Sequence, residues 1–403
     1  MRTIFEQASG IEQKLVQWRR YFHQFPELSF KEFKTAEFIA TTLSSISGVK
    51  VEKGIGLETS VIGTLSCGDG PTIALRADID ALPIKEETTA DYCSKHDGVM
   101  HACGHDAHTA ILLGTAQLLA QLAGDGKWNG TIKFIFQPAE ETPDQKGLSG
   151  SPYLIRAGAY VGVEAALALH MCPWLQVGEM QVHDGYSMAN VDEFEAKIIA
   201  SGGHGGYPEK GTDPTWMLGL LLQSLHGIVA RKVSALDEAV ISIGEIKAGS
   251  ATNIIPSEVF LRGTIRSYKP NIRDLLEREL EKAFAILEPL GGQYQLKVTR
   301  GEPALYNSSF LNQLVTAAAK KMRPTIKVVD EKFGMGGEDF GYVTQKLPGA
   351  MFFLGCATAD GIQRDLHTPI FDIDERVLVV GTAIMTQATL DYFSGFYEVV
   401  DQN

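Results

Sequence analysis

Three short apolar stretches, each delivering acidic or imidazole side chains at its C-terminal end, constrain the fold of this chain more than any other feature. Residues 71–76 run into Ala77-Asp-Ile-Asp80, residues 130–136 end in Gln137-Pro-Ala-Glu-Glu141, and residues 165–169 end in His170. Apolar runs of this length bounded by turn residues read as buried strands. In an open α/β sheet, ligands collect beyond the C-terminal ends of such strands. One polar strand end is commonplace. Three in succession predict a site built on a sheet.

Between the first two lies His101-Ala-Cys-Gly-His-Asp-Ala-His-Thr-Ala110, directly before an apolar run over 111–122. Cys103-x-His105 sets a thiolate and an imidazole two residues apart, as a loop around a borderline-soft divalent ion requires. A helix predicted to start near Asp106 turns its N-terminal dipole toward Cys103, which argues for a lowered thiol pKa. A buried loop whose histidines bond to the backbone explains the same residues, and the pair alone does not decide. Glu140 and Glu141 are adjacent carboxylates that repel each other, ordinarily the mark of an exposed acidic turn. The apolar strand and Pro138 before them favour another reading, with one carboxylate on a metal and its neighbour on a water that the metal acidifies. His367 by itself reads as a surface or capping residue. With Cys103, His105, Glu141 and His170 it makes five ligands, enough for two ions if one group bridges and water fills the rest. His204, set between four glycines in Ser201-Gly-Gly-His-Gly-Gly-Tyr-Pro208, reads either as an imidazole on a mobile loop or as a surface hairpin.

The rest of the chain sorts into two patterns. The first 45 residues predict two helices split at Phe25-Pro-Glu27, the second over 31–44, with strands over 49–52 and 60–65 after them. Near residue 190 the order becomes strand 191–200, helix 213–231, strands 239–246 and 258–267, helix 271–290 and strand 294–300. That βαββαβ order suits an antiparallel, ferredoxin-like plait. Helix 309–322, strand 351–355 and helix 375–393 then restore the first pattern. The expected architecture is α/β: a discontinuous domain (1–188 and 301–403) with a mixed central sheet flanked by helices, and an inserted plait domain (189–300). A net charge of −13 argues against a nucleic-acid-binding surface and against anionic lipid. No apolar run reaches the roughly 18–20 residues of a membrane span, and residues 1–30 lack a secretory pattern. Five scattered cysteines read as reduced thiols of a cytoplasmic protein.

The motifs run in a characteristic order. They are Leu75-Arg-Ala-Asp-Ile-Asp-Ala-Leu-Pro-Ile84, Met100-His-Ala-Cys-Gly-His-Asp106, Phe136-Gln-Pro-Ala-Glu-Glu141 and Leu169-His170, then Gly203-His204, Thr252-Asn-Ile-Ile-Pro256, Arg262-Gly-Thr-Ile-Arg266, Gly337-Glu-Asp-Phe340 and Leu366-His-Thr-Pro369. In them the chain resembles the dinuclear-metal amidohydrolases of the aminoacylase/carboxypeptidase family, in the branch of N-acyl-amino-acid amidohydrolases, hippurate hydrolases and auxin-conjugate hydrolases. The resemblance implies hydrolysis of the amide of a small N-acyl amino acid by a homodimer or higher homo-oligomer holding two divalent transition ions, zinc or manganese, per subunit. It implies that Cys103, His105, Glu141, His170 and His367 are the ligands, that Glu140 is the general base, and that Asp78 supports them. It also implies that the inserted domain is a lid and dimerisation unit. His204 would then stabilise the oxyanion from a partner subunit, while Asn253 and Arg266 face the substrate's amide and carboxylate. Two departures bear on the acyl group: the polar segment 142–151 replaces a shorter Gly-Gly-Ala one, and Glu209 stands where many members carry His. A metallo-dipeptidase or carboxypeptidase using the same centre is the alternative enzyme. A metal-binding sensor with a dead centre is disfavoured, since Glu140 and all five ligands are present.

Overall fold

In the computed structural model, which describes residues 2–124 and 126–395, the apolar stretches become the middle of one sheet. Residues 396–403 of the expected second segment lie outside the described residues. Two units emerge, one from Met1–Gly185, Tyr306–Phe333 and Asp339–Asn403, the other from Tyr186–Leu305 and Gly334–Glu338.

Across the eight-stranded sheet of the first unit the order is Val49–Lys53, Val61–Cys67, Gly130–Gln137, Thr72–Asp78, Ala165–Gln176, Gly349–Ala357, Glu179–Val182 and Lys327–Asp330. The middle four are parallel, while antiparallel pairs flank them. Parallel strands are covered on both faces, which is why these read as continuous apolar runs without alternation. Helix His105–Gly124 is buried at every position from His105 to Ala116, the mark of an interior helix. With Glu12–Gln24, Ser309–Met322 and Arg376–Phe393 it closes one hydrophobic core over the sheet.

Register puts the functional ends on one level. Asp78 pairs with Gln137 and Arg76 with Ala168, so His170 stands beside the end of its neighbour. His170 is nevertheless not a strand end: Ala165–Gln176 runs on because Gly349–Ala357 continues alongside it, as far as the Ala357–Gln176 pair. The N-terminus holds three helices, not two. Ile4–Ser9, fixed by a capping box of Thr3 and Glu6, precedes Glu12–Gln24. Glu179–Val182 and Lys327–Asp330 are four residues each, too short for periodicity to reveal.

The second unit is an antiparallel sheet in the order Ala239–Ala248, Glu258–Ser267, Asn190–Ile199, Gln293–Arg300. Helices Pro214–Lys232 and Pro270–Ala285 bury Leu221, Leu225, Leu276, Leu280 and Phe284 against Phe194, Ile198, Val259 and Leu261. Asp213 caps the first helix through Thr215 and Trp216 N–H, with Pro214 in its first turn. The mixed α/β sheet and the separate βαββαβ unit agree with the expected fold class. Among the described residues no helix is long and apolar enough to cross a membrane.

One ion pair ties the N-terminal helix to the start of the central one. Arg19 and Asp106 are both fully buried, 2.8 Å apart, and His23 Nδ1 meets the same Asp106 oxygen at 2.8 Å. Burial alone would push Asp106 up, but Arg19 and His23 outweigh it and hold the carboxyl well below its usual range. Breaking such a pair strands a buried charge. Arg19→Met should therefore lower the stability of the metal-free protein by about 3–5 kcal/mol in urea titrations at pH 7. Because the folded pKa lies below the unfolded value of about 3.9, this contribution is complete above that pH and is lost as pH falls further. The gap between wild type and variant should then narrow.

Candidate metal centre

Two backbone carbonyls set the chemistry of the site. His105 Nδ1 lies 2.9 Å from the Asp80 carbonyl and His170 Nδ1 lies 2.8 Å from that of Met171. A carbonyl only accepts, so each neutral ring carries its proton on Nδ1 and presents a bare Nε2. The two bare nitrogens face a common cluster. Ligand atoms of Cys103, His105 and His170 lie within 4.8 Å of one another, as do those of Cys103, Glu141 and His367, and those of His105, Glu140 and Glu141. Glu141 spans the rest, with Oε1 3.6 Å from His105 Nε2 and Oε2 3.4 Å from His367 Nε2. Cys103 Sγ is 3.5 Å from His170 Nε2. Phe353 stacks on the His170 ring at 4.9 Å between centroids.

This donor set fits a divalent transition ion. His105 Nε2 and Glu141 Oε1 are buried without a hydrogen-bond partner, and orphaned buried polar atoms are rare enough to need a reason. One thiol, three imidazoles and a carboxylate suit zinc or a neighbour of similar softness better than calcium or magnesium. The charges point the same way. Burial opposes a positive His105, yet Asp78, Asp80 and Glu141 pull its pKa up to about 10. Burial, then His108, pushes His170 well below the imidazole range. The expectation for Cys103 is reversed: burial first, then Glu141, Glu140 and Asp78, drive its thiol well above the ordinary value. The dipole argument weighed the helix and left out the carboxylates, which outweigh it until a cation offsets them.

Supporting residues complete the cluster. Asp78 binds Arg76 at 2.7 Å and His108 Nδ1 at 2.6 Å, while His108 Nε2 accepts from Met171 N–H at 2.9 Å. His108 was legible in principle, since His105-Asp-Ala-His108 places both imidazoles on one helix face, yet the sequence reading passed over it. Glu32, which binds Ala139 N–H at 2.9 Å, left no trace in any motif. Burial, then the Asp80 charge, pushes Glu32 up to about 8. Backbone strain gathers here too: Phe30, Ala139 and His367 are the non-glycine residues with positive φ among the described residues, at about 1–3 kcal/mol each. His367 is held there by its N–H on the Ala102 carbonyl, 2.8 Å away.

The other expected residues belong to the second unit. His204 and Ile254 face each other in a two-stranded ladder, so His204 and Asn253 are brought together, both exposed. His204 Nδ1 accepts from Gly206 N–H at 2.9 Å, which leaves the proton of a neutral ring on Nε2. The flanking glycines have a packing reason. At Gly202, with φ of +61°, a Cβ would lie 2.6 Å from the Ile255 carbonyl. Arg266, half-buried, donates to the Met335 carbonyl at 2.9 Å.

Known proteins agree with this picture. The pattern of peptidase family M20/M25/M40 matches residues 74–391. An N-acetyl-L-cysteine deacetylase of Bacillus subtilis (strain 168) is 38% identical over 376 residues, covering 92% of this chain and 86% of that protein. Thermostable carboxypeptidase 1 of Saccharolobus solfataricus is 37% identical over 375 residues, or 92% and 93%. Among solved structures, the YXEP protein of Bacillus subtilis, described as a dinuclear metal-binding peptidase of family M20, superposes with a TM-score of 0.83. It is 33% identical, with 96% and 99% of the two chains covered. The chain therefore belongs to peptidase family M20/M25/M40, in its amidohydrolase and aminoacylase branch, and is a metal-dependent hydrolase.

Proposed function

We propose that the protein hydrolyses the amide bond of small N-acyl amino acids. The observation that carries this reading is the pair of adjacent glutamates with His105: Glu140, Glu141 and His105 share one cluster, and Glu141 also approaches His367. Cys103, His105, Glu141, His170 and His367 would hold two divalent ions, zinc or manganese. Such ions, when bound, polarise the amide carbonyl and acidify water. Glu140 takes the proton of the attacking water and returns it to the leaving nitrogen. The N-acetyl-cysteine deacetylase relative supports an acyl substrate. The carboxypeptidase relative favours the second reading, a peptide with a free C-terminus in the same centre. Its compartment is a reducing one, where all five cysteines stay as thiols.

The working form is a homodimer joined through the inserted unit. Helix Pro214–Lys232 exposes Trp216 by 55% and Leu220 by 38% on one face, and among the described residues Ala239–Ala248 pairs along one edge only. An open strand edge and an exposed apolar stripe are features that a second copy covers. His204 then acts at the partner's centre, where its Nε2–H stabilises the oxyanion. Asn253 holds the amide, and Arg266 the α-carboxylate through charge-assisted hydrogen bonds.

Three experiments test these roles. Glu140→Gln should keep fold and metal content while kcat falls about a hundred- to ten-thousand-fold. Glu141→Gln and Cys103→Ser should lose metal, and a chelator should abolish wild-type turnover. Metal loss in the first variant with full metal in the second would reverse the two glutamates. Mixing inactive His204→Ala with inactive Glu140→Gln chains should restore part of the activity once subunits exchange; verified exchange without recovery would rule out action across the dimer. Arg266→Ala should lower kcat/KM for free carboxylates about ten- to a hundredfold and change amidated analogues little. Equal losses on both would assign Arg266 to holding the Met335 backbone.

A further inference from the structure

Ala139 decides where the two glutamates point, and its backbone stands where alanine is disfavoured, at a φ of 55°. A left-handed residue directly after Pro138 turns the chain out of the strand, so the side chains that follow leave in directions a right-handed residue would not give. What holds it there is the carboxyl group of Glu32. Glu32 Oε1 accepts from Ala139 N–H at 2.9 Å and from Phe30 N–H at 2.9 Å, and Phe30 is itself left-handed at 64°. Glu32 Oε2 is occupied by the Thr59 hydroxyl at 2.8 Å, so the carboxyl group is fixed at both ends. Glu32 is fully buried, a place that disfavours a carboxylate unless hydrogen bonds require it.

The turn is gripped from two further sides. Asp80 Oδ2 accepts from Glu141 N–H at 3.0 Å, and the Ala139 carbonyl accepts from Gly150 N–H at 2.7 Å. A Cβ on Gly150 would fall 1.8 Å from the Pro138 carbonyl oxygen. The amides on either side of Glu140 are therefore bonded to two different carboxyl groups, one from the N-terminal segment and one from the neighbouring strand end. Without Glu32 the Ala139 N–H loses its acceptor and its backbone can relax to the right-handed region.

We propose that Glu32 is a positioning residue for catalysis: its carboxyl group holds Ala139 left-handed and so sends Glu140 and Glu141 to separate tasks. The inference rests on the roles given to those glutamates above. The test is a double-mutant cycle between positions 32 and 139 on the full-length protein, since glycine takes a positive φ without strain. Glu32→Ala should lower kcat about ten- to a hundredfold with KM little changed, and weaken zinc binding to the metal-free protein. Ala139→Gly alone should change little, and the double variant should regain most of the loss. Glu32→Gln should stay near wild type, because a carboxamide oxygen still accepts both N–H groups. An equal loss from Glu32→Ala in the wild-type and Ala139→Gly backgrounds, or a Glu32→Gln as impaired as Glu32→Ala, would overturn the proposal. If Glu32→Ala alone does not fold, a folded double variant supports the proposal and an unfolded one overturns it. The thermal midpoint of the metal-free protein should show the same coupling between the two positions. That readout depends on neither glutamate's role, so it still decides the matter if Glu140→Gln leaves turnover intact.

Discussion

A buried imidazole that gives one proton to a main-chain carbonyl has no choice about its other nitrogen, and the site rests on that restriction. The carbonyls at Asp80 and Met171 are set by the sheet and its strand ends, so the geometry of the sheet becomes the geometry of the ligands. His108 extends the same principle by accepting from Met171 N–H, with Asp78 holding its other nitrogen. Outer partners of this kind orient the groups that touch a metal. The surrounding carboxylates then raise both Cys103 and His105, so a cation held by these two groups would displace their protons.

The N-terminal segment supplies no ligand, yet it braces three of the motifs from behind. Arg19 and His23 hold Asp106, Ser29 donates to Asp80 at 2.6 Å, and Glu32 holds Ala139. All four lie before residue 74, where the family match begins. The recognisable chemistry and the scaffold that aims it are thus encoded in different parts of the chain.

That division explains what could be read from the sequence. The cluster of Cys103, His105, Glu141, His170 and His367 was legible because Cys-x-His, paired glutamates and histidines after apolar runs are unusual residue types in unusual places. The central strands were legible because parallel strands are apolar throughout, and the plait because its two amphipathic helices alternate with half-buried strands. Glu32 was not, because a lone glutamate at the start of a predicted helix looks like any solvated residue until its donors are seen. The Cys103 pKa was misjudged because a local dipole can be read from sequence, whereas the sum of charges arriving from distant strands cannot. His170 at mid-strand was missed as such because only the neighbouring strand's length keeps Ala165–Gln176 paired beyond it.

The bond from Gly150 N–H to the Ala139 carbonyl has an evolutionary side. It closes the base of the segment between them, and the remaining loop is tied within itself, Asp144 accepting from Lys146 and Leu148 N–H and from the Tyr153 hydroxyl. A loop closed at its base can lengthen at slowly rising entropic cost, and its changes stop at the clamp without reaching the glutamates. Here the polar segment 142–151 stands beside the turn that carries Glu140 and Glu141. Changes in this loop and changes in the turn that carries Glu140 and Glu141 are thereby uncoupled.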